Sequence, residues 1–292
     1  MSDRILIIGG SGSIAFKTFD ILNSRGFTVR MAVKDPVAAR KKVGSGIRLF
    51  EVDLLKPATI KPVFAGVNKV LLLSTPGPDQ FQKHENIIDV AQNHMLDAIV
   101  RVSAMGVHLN SPISILRQHA ESERYLERSG IMYTHIRPNV LMQNLLLFAP
   151  IIRKKGEFYA PIDNGEISLI DASDIAEFAA CILSSNDHHR RTYEITGPES
   201  LSFYEVADRL SKFSTSKIGF TTVDSERFKW WLVRTGITEW LAHDLMQLFD
   251  LWRDHTASRI TPDFKRITGR NPITLNTFIK NNTRAFGLVS GK

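Results

Sequence analysis

Near its start the chain runs from four apolar residues, Ile5 to Ile8, straight into Gly9-Gly10-Ser11-Gly12-Ser13-Ile14-Ala15, after which Ala15, Phe19 and Leu22 recur at helical spacing. A short, wholly apolar run is what a parallel strand needs when both of its faces are covered. Glycine at position 9 permits the tight turn that must follow. Glycine at position 12 lets the backbone come close to a pyrophosphate, and the small Ala15 lets the helix pack closely on the strand. The helix N-terminus then offers free N–H groups and a partial positive charge to an anion. Gly9, Gly10, Ser11, Gly12, Ser13 and Ile14 are therefore candidate phosphate-binding residues. A glycine turn without a ligand is the alternative. The strand–turn–helix setting, at the head of an alternating α/β pattern, favours a dinucleotide.

The alternation continues. Gly26 suits a helix C-cap, and Phe27, Val29, Met31 and Val33 alternate as a second strand. Asp35-Pro36 has the cap-then-proline order that opens a helix. Further strands are expected at Ile47 to Val52, Lys69 to Leu73, Ala98 to Val102 and Tyr133 to Ile136, with helical stretches near 57–64, 79–95 and 112–129 between them. Such a rhythm predicts a Rossmann-type, doubly wound parallel sheet. After about residue 150 it loosens. Strands are expected at Ile167 to Ile170 and Thr192 to Ile195, with a helix from about Ser173 between them. Ser202 and Glu205 form a capping box, and 225–253 reads as largely helical and aromatic-rich. Its aromatics suit either the small core of a lobe or a substrate cage. The expected organisation is a dinucleotide-binding domain over 1–150, completed by strands and a helix within 166–196. A smaller, interleaved, mainly helical C-terminal lobe over 151–292 accompanies it, since no Ser/Gly/Pro-rich linker divides the halves.

A chain of 292 residues with 43% hydrophobic and 23% charged residues has the balance of a soluble globular protein and sets disorder and repeats aside. No apolar run is long enough for a bilayer, and the start lacks the apolar stretch of a signal peptide. A cytoplasmic protein is expected. Cys181 stands alone in an apolar helical stretch, which reads as a core thiol and excludes an internal disulfide. The net charge of +7 gathers at the C-terminus, where Arg259, Lys265, Arg266, Arg270, Lys280, Arg284 and Lys292 face only Asp263. Without a recognition helix, zinc pattern or aromatic–basic interleaving this is a solvated basic face, not a nucleic-acid site. His188-His189 has no further ligands at metal spacing, so no metal is expected. Asp171 and Asp174 suit a helix start.

Cofactor choice is usually set after the second strand, where an acidic residue binds the ribose 2′-hydroxyl of NAD. Here the stretch is Arg30-Met31-Ala32-Val33-Lys34. Lys34 can pair with a 2′-phosphate, with Ser11 and Ser13 as added donors, so NADP(H) is favoured over NAD(H). The alternatives are a solvated Lys34 and an Asp35 that is free to serve the ribose.

With these features in place the chain resembles, over nearly its full length, the NmrA-like group of atypical short-chain dehydrogenase/reductases. The matching segments are IIGGSGSIA (7–15), VRMAVKDP (29–36), EVDLLKP (51–57), LLLSTPG (71–77), RVSAMG (101–106), YTHIRPNVLMQNLL (133–146), ISLIDASDIAEFAA (167–180) and YEITGPESLSFYEVA (193–207). That group holds quinone reductases, triphenylmethane-dye reductases, isoflavone-reductase-like enzymes and redox-sensing regulators that bind the cofactor without turnover. The resemblance implies that Asp53 and Leu54 flank the adenine and that Ser74, Thr75 and Pro76 border the nicotinamide-side ribose. It puts Pro138 and Asn139 beside the nicotinamide, Ser103 beneath it, and Met142 and Asn144 in the substrate pocket. Asp53 reads equally well as a loop residue capping the next turn.

The departure from the group's pattern concerns the catalytic helix. Where short-chain dehydrogenases carry Tyr-x-x-x-Lys, this chain reads Ile115-Leu-Arg-Gln-His119. His119 takes the lysine position and is the candidate proton donor, since imidazole titrates near neutral pH. The alternative is a histidine that only orients cofactor or substrate. Two functions follow: an NADPH-dependent oxidoreductase passing hydride to a small quinone or enone, or an NADP(H)-binding redox sensor without turnover. A small-molecule substrate is expected. A homo-oligomer is compatible with the sequence, and a protein partner belongs only to the sensor reading.

Overall fold

The computed structural model describes residues 4–43, 47–73 and 75–288. Its first part alternates strictly: β1 (Arg4–Ile8), α1 (Ser13–Ser24), β2 (Thr28–Val33), α2 (Pro36–Val43), β3 (Leu49–Glu51), α3 (Pro57–Ile60), β4 (Lys69–Leu72), α4 (Gln80–Gln92), β5 (Ala98–Val102), α5 (Ser114–Arg128) and β6 (Tyr133–Pro138). Next come α6 (Ala149–Lys155), β7 (Glu157–Ala160), α7 (Ala172–Leu183), β8 (Arg191–Ile195), α8 (Phe203–Ser211), β9 (Gly219–Thr222), α9 (Ser225–Arg234) and α10 (Glu239–Arg253). Three short helices close the chain: α11 (Asp263–Thr268), α12 (Leu275–Asn281) and α13 (Thr283–Phe286).

The chain divides into two compact units, Met1–Pro138 with Ile175–Glu194, and Asn139–Asp174 with Ile195–Lys292. The first division therefore falls at Pro138 rather than near 150, because the segment after β6 packs with the lobe. A seven-stranded sheet of order β3-β2-β1-β4-β5-β6-β8 forms the first unit, and its first six strands pair in parallel. The sequence-expected doubly wound fold is thus present. β4 and β5 are buried along their whole length, as strands with helices on both faces must be. Cys181 is not a core thiol. It is half-buried on α7, with its Sγ 3.8 Å from Arg25 Nη1 and 3.5 Å from Glu177 Oε1.

The second unit is built round an aromatic core. Phe158 is fully buried, with ring centroids 5.2 Å from Phe148 and 5.1 Å from Phe220. Phe228 and Phe249 meet edge to face at 5.5 Å. Most of the aromatics of 225–253 therefore serve packing, although Trp230 is 60% exposed. β7 and β9 pair in parallel as a two-stranded sheet, which the sequence did not suggest because each strand has only four residues. The strand expected at Ile167 to Ile170 reduces to two isolated bridges, Leu141 with Ile170 and Ile167 with Leu201. The expected capping box is formed: Ser202 Oγ accepts from the Glu205 N–H, and Glu205 accepts from the Ser202 N–H.

Phe158→Ala removes a ring at the centre of this cluster, and a core truncation of that size costs about 3–5 kcal/mol. Urea denaturation should report a loss in that range, and a loss below about 1 kcal/mol would mean that the cluster does not hold the lobe together.

Candidate active site

The glycine turn sits where β1 and β4 lie side by side, and two contacts dictate its sequence. Gly9 has φ +98°, a region that side chains rarely enter, and a Cβ there would lie 2.0 Å from the Leu73 carbonyl oxygen. The approach follows from the Leu73 N–H donating to the Ile8 carbonyl at 2.9 Å, which continues the β1–β4 ladder past the strand ends. Gly12 differs: a Cβ at that position would meet nothing within 4 Å. Its missing side chain leaves open space in front of the α1 N-terminus, which is where an incoming pyrophosphate needs it. Thr75 Oγ1 donates to the Gly9 carbonyl at 3.4 Å, joining the loop after β4 to the turn.

A cavity of 310 Å³ opens above these groups, lined by Gly9, Gly10, Ser11, Lys34, Asp53, Leu54 and Thr75 among others. These residues follow β1, β2, β3 and β4, at the carboxyl ends where open α/β sheets bind ligands. A broader cleft of 620 Å³ shares Ser11 and Lys34 with it and is lined further by Asp35, Lys42, Glu51 and the start of α2. Asp35 acts as a helix cap: its carboxylate accepts from the Ala38 N–H at 2.9 Å. Asp53 lines the cavity, and its carboxylate accepts from the Leu55 N–H at 3.1 Å, as a loop cap does. That bond, with Lys56 and Lys34 nearby, holds its carboxyl below the usual range. Ser74 lies outside the described residues, and Pro76 is exposed.

Sequence reasoning passed over the inner wall of the cavity, supplied by Gln80, Lys83 and His84 of α4. Behind it lies Arg101 of β5, fully buried. Its Nη2 reaches His119 Nδ1 at 2.9 Å and His84 Nδ1 at 3.5 Å. Arg101 Nη1 is 3.8 Å from Glu123, and Arg137 takes both Glu123 oxygens, at 3.0 and 2.5 Å. The Ser103 hydroxyl, also buried, faces Glu123. A signal for this cluster was present in the sequence: Arg101 interrupts an otherwise apolar strand, Ala98-Ile-Val-Arg-Val102. An arginine there needs buried partners.

These contacts change the expectation for His119. It is 6% exposed, and burial, then the Arg101 guanidinium, then His84, hold it well below the ordinary histidine range. Burial and Arg101 do the same to His84. The imidazolium that a general acid requires is disfavoured in this setting. Burial also lowers Arg101, to about 10, which leaves it charged at neutral pH. Burial pushes Glu123 up, but the hydrogen bonds from Arg137 prevail and keep it ionised.

Four expected site residues lie at or just beyond the end of β6. Pro138 is buried as the last residue of the strand. The Asn139 amide is committed within the second unit, donating to Ser168 Oγ at 2.7 Å and to the Ala257 carbonyl at 2.8 Å. Met142 is 1% exposed within the apolar core of the lobe, where the 3₁₀ turn Met142–Phe148 points it inward. Asn144 is exposed. Asp171 caps α7 through the Ser173 N–H at 2.6 Å, and Asp174 bonds the Ile273 N–H at 2.7 Å and pairs with Arg270. Among the described residues, no group of three His, Cys, Asp or Glu side chains is placed to hold a metal, and no helix is long and apolar enough to cross a membrane.

Comparison with known proteins gives concordant matches. The profile of the NmrA-like family matches residues 1–270. NAD(P)H azoreductase of Xenophilus azovorans is 32% identical over 283 residues, which cover 97% of this chain and 99% of that protein. Quinone oxidoreductase 2 of Escherichia coli is 28% identical over 72% of this chain and 73% of its own length. Among solved structures, the NADPH complex of the Escherichia coli quinone oxidoreductase superposes with a TM-score of 0.85 at 24% identity, covering 96% of this chain and 99% of that one. The NADP(H) complex of triphenylmethane reductase from Citrobacter sp. gives 0.83 at 21% identity, covering 95% and 99%.

The buried histidines make stability depend on acid. Between the unfolded histidine pKa of 6.5 and the lower folded values, the unfolded chain binds protons that the folded chain does not. Stability is therefore full above that pKa and is lost as pH falls, by roughly 1.4 kcal/mol per pH unit for each such histidine. His135, lowered mainly by burial, adds to the effect. Asp174, raised by burial to about 6, and Asp263, also raised by burial, oppose it. Chemical denaturation at pH 7, 6 and 5 should give falling stability; a flat or rising series would contradict the buried neutral pair.

Proposed function

The chain belongs to the NmrA-like family, and from that premise we propose that it is an NAD(P)H-dependent reductase passing hydride to a small, planar, conjugated acceptor such as a quinone or enone. The observation that carries the reading is the glycine cradle: a turn that only glycine fits at position 9, open space at Gly12, and a cavity running on to Lys34 and Asp53. A Cβ-free approach in front of a helix N-terminus is what a pyrophosphate requires. In this reading Gly9, Gly10, Ser11, Gly12, Ser13 and Ile14 hold the phosphates, while Asp53 and Leu54 border the adenine. Thr75, Pro76, Ser103, Pro138 and Asn139 surround the far half of the dinucleotide. When bound, the nicotinamide supplies the hydride, and the protein supplies position and a dry setting. Relatives named for azo and quinone reduction support an acceptor of this class.

NADPH is preferred to NADH. Lys34 is exposed where the cavity and the adjoining cleft meet. The acidic neighbour that could bind a ribose 2′-hydroxyl, Asp35, is occupied as the α2 cap. A charge-assisted hydrogen bond is worth roughly 1.5–3 kcal/mol, or about ten- to a hundredfold in affinity. Calorimetry on Lys34→Ala should show NADPH weakened by that factor with NADH nearly unchanged. Equal losses for both cofactors would remove Lys34 from the 2′-phosphate.

The activity itself is tested by NADPH oxidation against a panel of quinones, azo compounds and enones, with Gly12→Val as control. A Cβ there would meet no protein atom within 4 Å, so the fold is expected to survive, while in this reading the side chain fills the space the pyrophosphate needs. Sustained turnover in the wild type, with loss of both turnover and NADPH binding in the variant, is the expected result. Tight cofactor binding without turnover on any acceptor would favour the redox-sensor reading, which the missing Tyr-x-x-x-Lys pair supports.

A further inference from the structure

The contact between Arg101 and His119 constrains more than the charge of the imidazole. A guanidinium has N–H donors only and no acceptor. At 2.9 Å from Arg101 Nη2, His119 Nδ1 must present its lone pair, so the single proton of the neutral ring sits on Nε2. We propose that Arg101 locks His119 as the neutral Nε2–H tautomer, so that His119 serves a bound acceptor as a fixed hydrogen-bond donor and does not hand over a proton.

The surrounding charges reinforce the lock from every element packed there. Arg101 comes from β5, Arg137 and His135 from β6, Glu123 and Glu127 from α5, Glu194 from β8, and His84 and Lys83 from α4. Arg137 holds both Glu123 oxygens and stands 3.9 Å from Glu194, while Arg101 is 3.8 Å from Glu123. Among the described residues, Arg101 Nε and Nη1 have no hydrogen-bond partner, so its one short contact is the Nη2 bond to His119. Protonating Nδ1 would point an N–H at another N–H and place two cations in contact. Gln118, beside His119 on α5, gives its amide to the Gly77 carbonyl at 3.1 Å. His84 lines the dinucleotide cavity and shares Arg101 Nη2 with His119.

The consequence for chemistry rests on the reductase reading. As hydride arrives at a conjugated carbonyl, its two electrons leave negative charge on the acceptor oxygen. The Nε2–H donates a hydrogen bond to that oxygen without breaking, and the proton that completes the product comes from water. A positively charged group behind a neutral donor strengthens such a bond as charge develops. Arg101 is a positioning residue in this scheme, acting through His119.

Long-range ¹H–¹⁵N correlation spectra of the whole ¹⁵N-labelled protein test the lock directly, with the His119 ring signals identified by their loss in His119→Gln. The expected pattern is a proton on Nε2 alone, unchanged from about pH 5.5 to 8.5, around the ordinary histidine range. An Nδ1–H tautomer, or titration to imidazolium within that range, would overturn the proposal. In Arg101→Met the ring should become a tautomeric mixture, and an unchanged spectrum would deny Arg101 the role. If that variant does not fold, the wild-type spectra still decide. Turnover supplies the second arm. His119→Gln places an amide N–H near the Nε2 position and should stay within about tenfold of wild type, whereas His119→Phe should lose roughly 10²–10³, the cost of removing one oxyanion donor. Equal loss in both, with a wild-type rate that falls as pH rises through the histidine range, would mean proton transfer and overturn the donor role. A protein inert on every acceptor would defeat the reductase reading and the donor role together, while the tautomer would still be judged by the spectra alone.

Discussion

The architecture of the candidate site depends on one close approach, that of the Gly9 backbone to the Leu73 carbonyl. Where β1 and β4 run side by side, the Leu73 N–H bonds the Ile8 carbonyl, and the chain after β1 must then turn away with φ +98° at Gly9. That turn aims the N-terminus of α1 at the cavity and leaves the space at Gly12 free of protein atoms. The loops after β2 and β3 bring Lys34 and Asp53 to the same cavity because β2 pairs in parallel with β1, and β3 with β2. An added methyl group at Gly9 would meet a carbonyl, not a flexible side chain, so the whole arrangement admits no substitute there.

A second constraint works from within the sheet. Arg101 carries a full charge in the most apolar layer of the first unit, and its burial is compensated only because α4 and α5 turn His84, His119 and Glu123 toward it. Replacing such a network by apolar side chains is often neutral or favourable for stability, so holding the fold does not by itself account for it. Its position behind the cavity wall and its effect on His119 supply a further role. Under the proposal above, His119, which takes the lysine position of the Tyr-x-x-x-Lys pattern, becomes a neutral donor of fixed orientation.

The lobe is organised differently. The first unit owes its order to backbone pairing in a long parallel sheet. The second has only the β7–β9 pair and relies on side-chain packing among Phe148, Phe158, Phe203, Phe220, Phe228 and Phe249. Local signals still mark its helices, as the Ser202–Glu205 box and the Asp224 cap illustrate. Strands of four residues whose partners lie far apart in sequence leave no comparable trace.

Much of the first unit was legible from local sequence. Apolar runs of period one, glycines between strand and helix and Asp35 before Pro36 each act through neighbours a few residues away, so the sheet strands, the cradle and the α2 cap followed from the residues themselves. Ser202 with Glu205 belongs to the same class. What the sequence did not reveal depends on contacts between distant segments. That the 3₁₀ turn packs Met142 into the lobe core could not be read from its place in a motif. That the Asn139 amide gives both of its hydrogens to Ser168 and Ala257 could not be read from its place in the motif. His119 reads as a titrating acid, yet Arg101, eighteen residues earlier, holds it neutral. A side chain's type fixes which bonds it can make, and that much is written in sequence. Its charge, tautomer and exposure depend on which partners the fold brings within about 3 Å, and only the tertiary structure decides those.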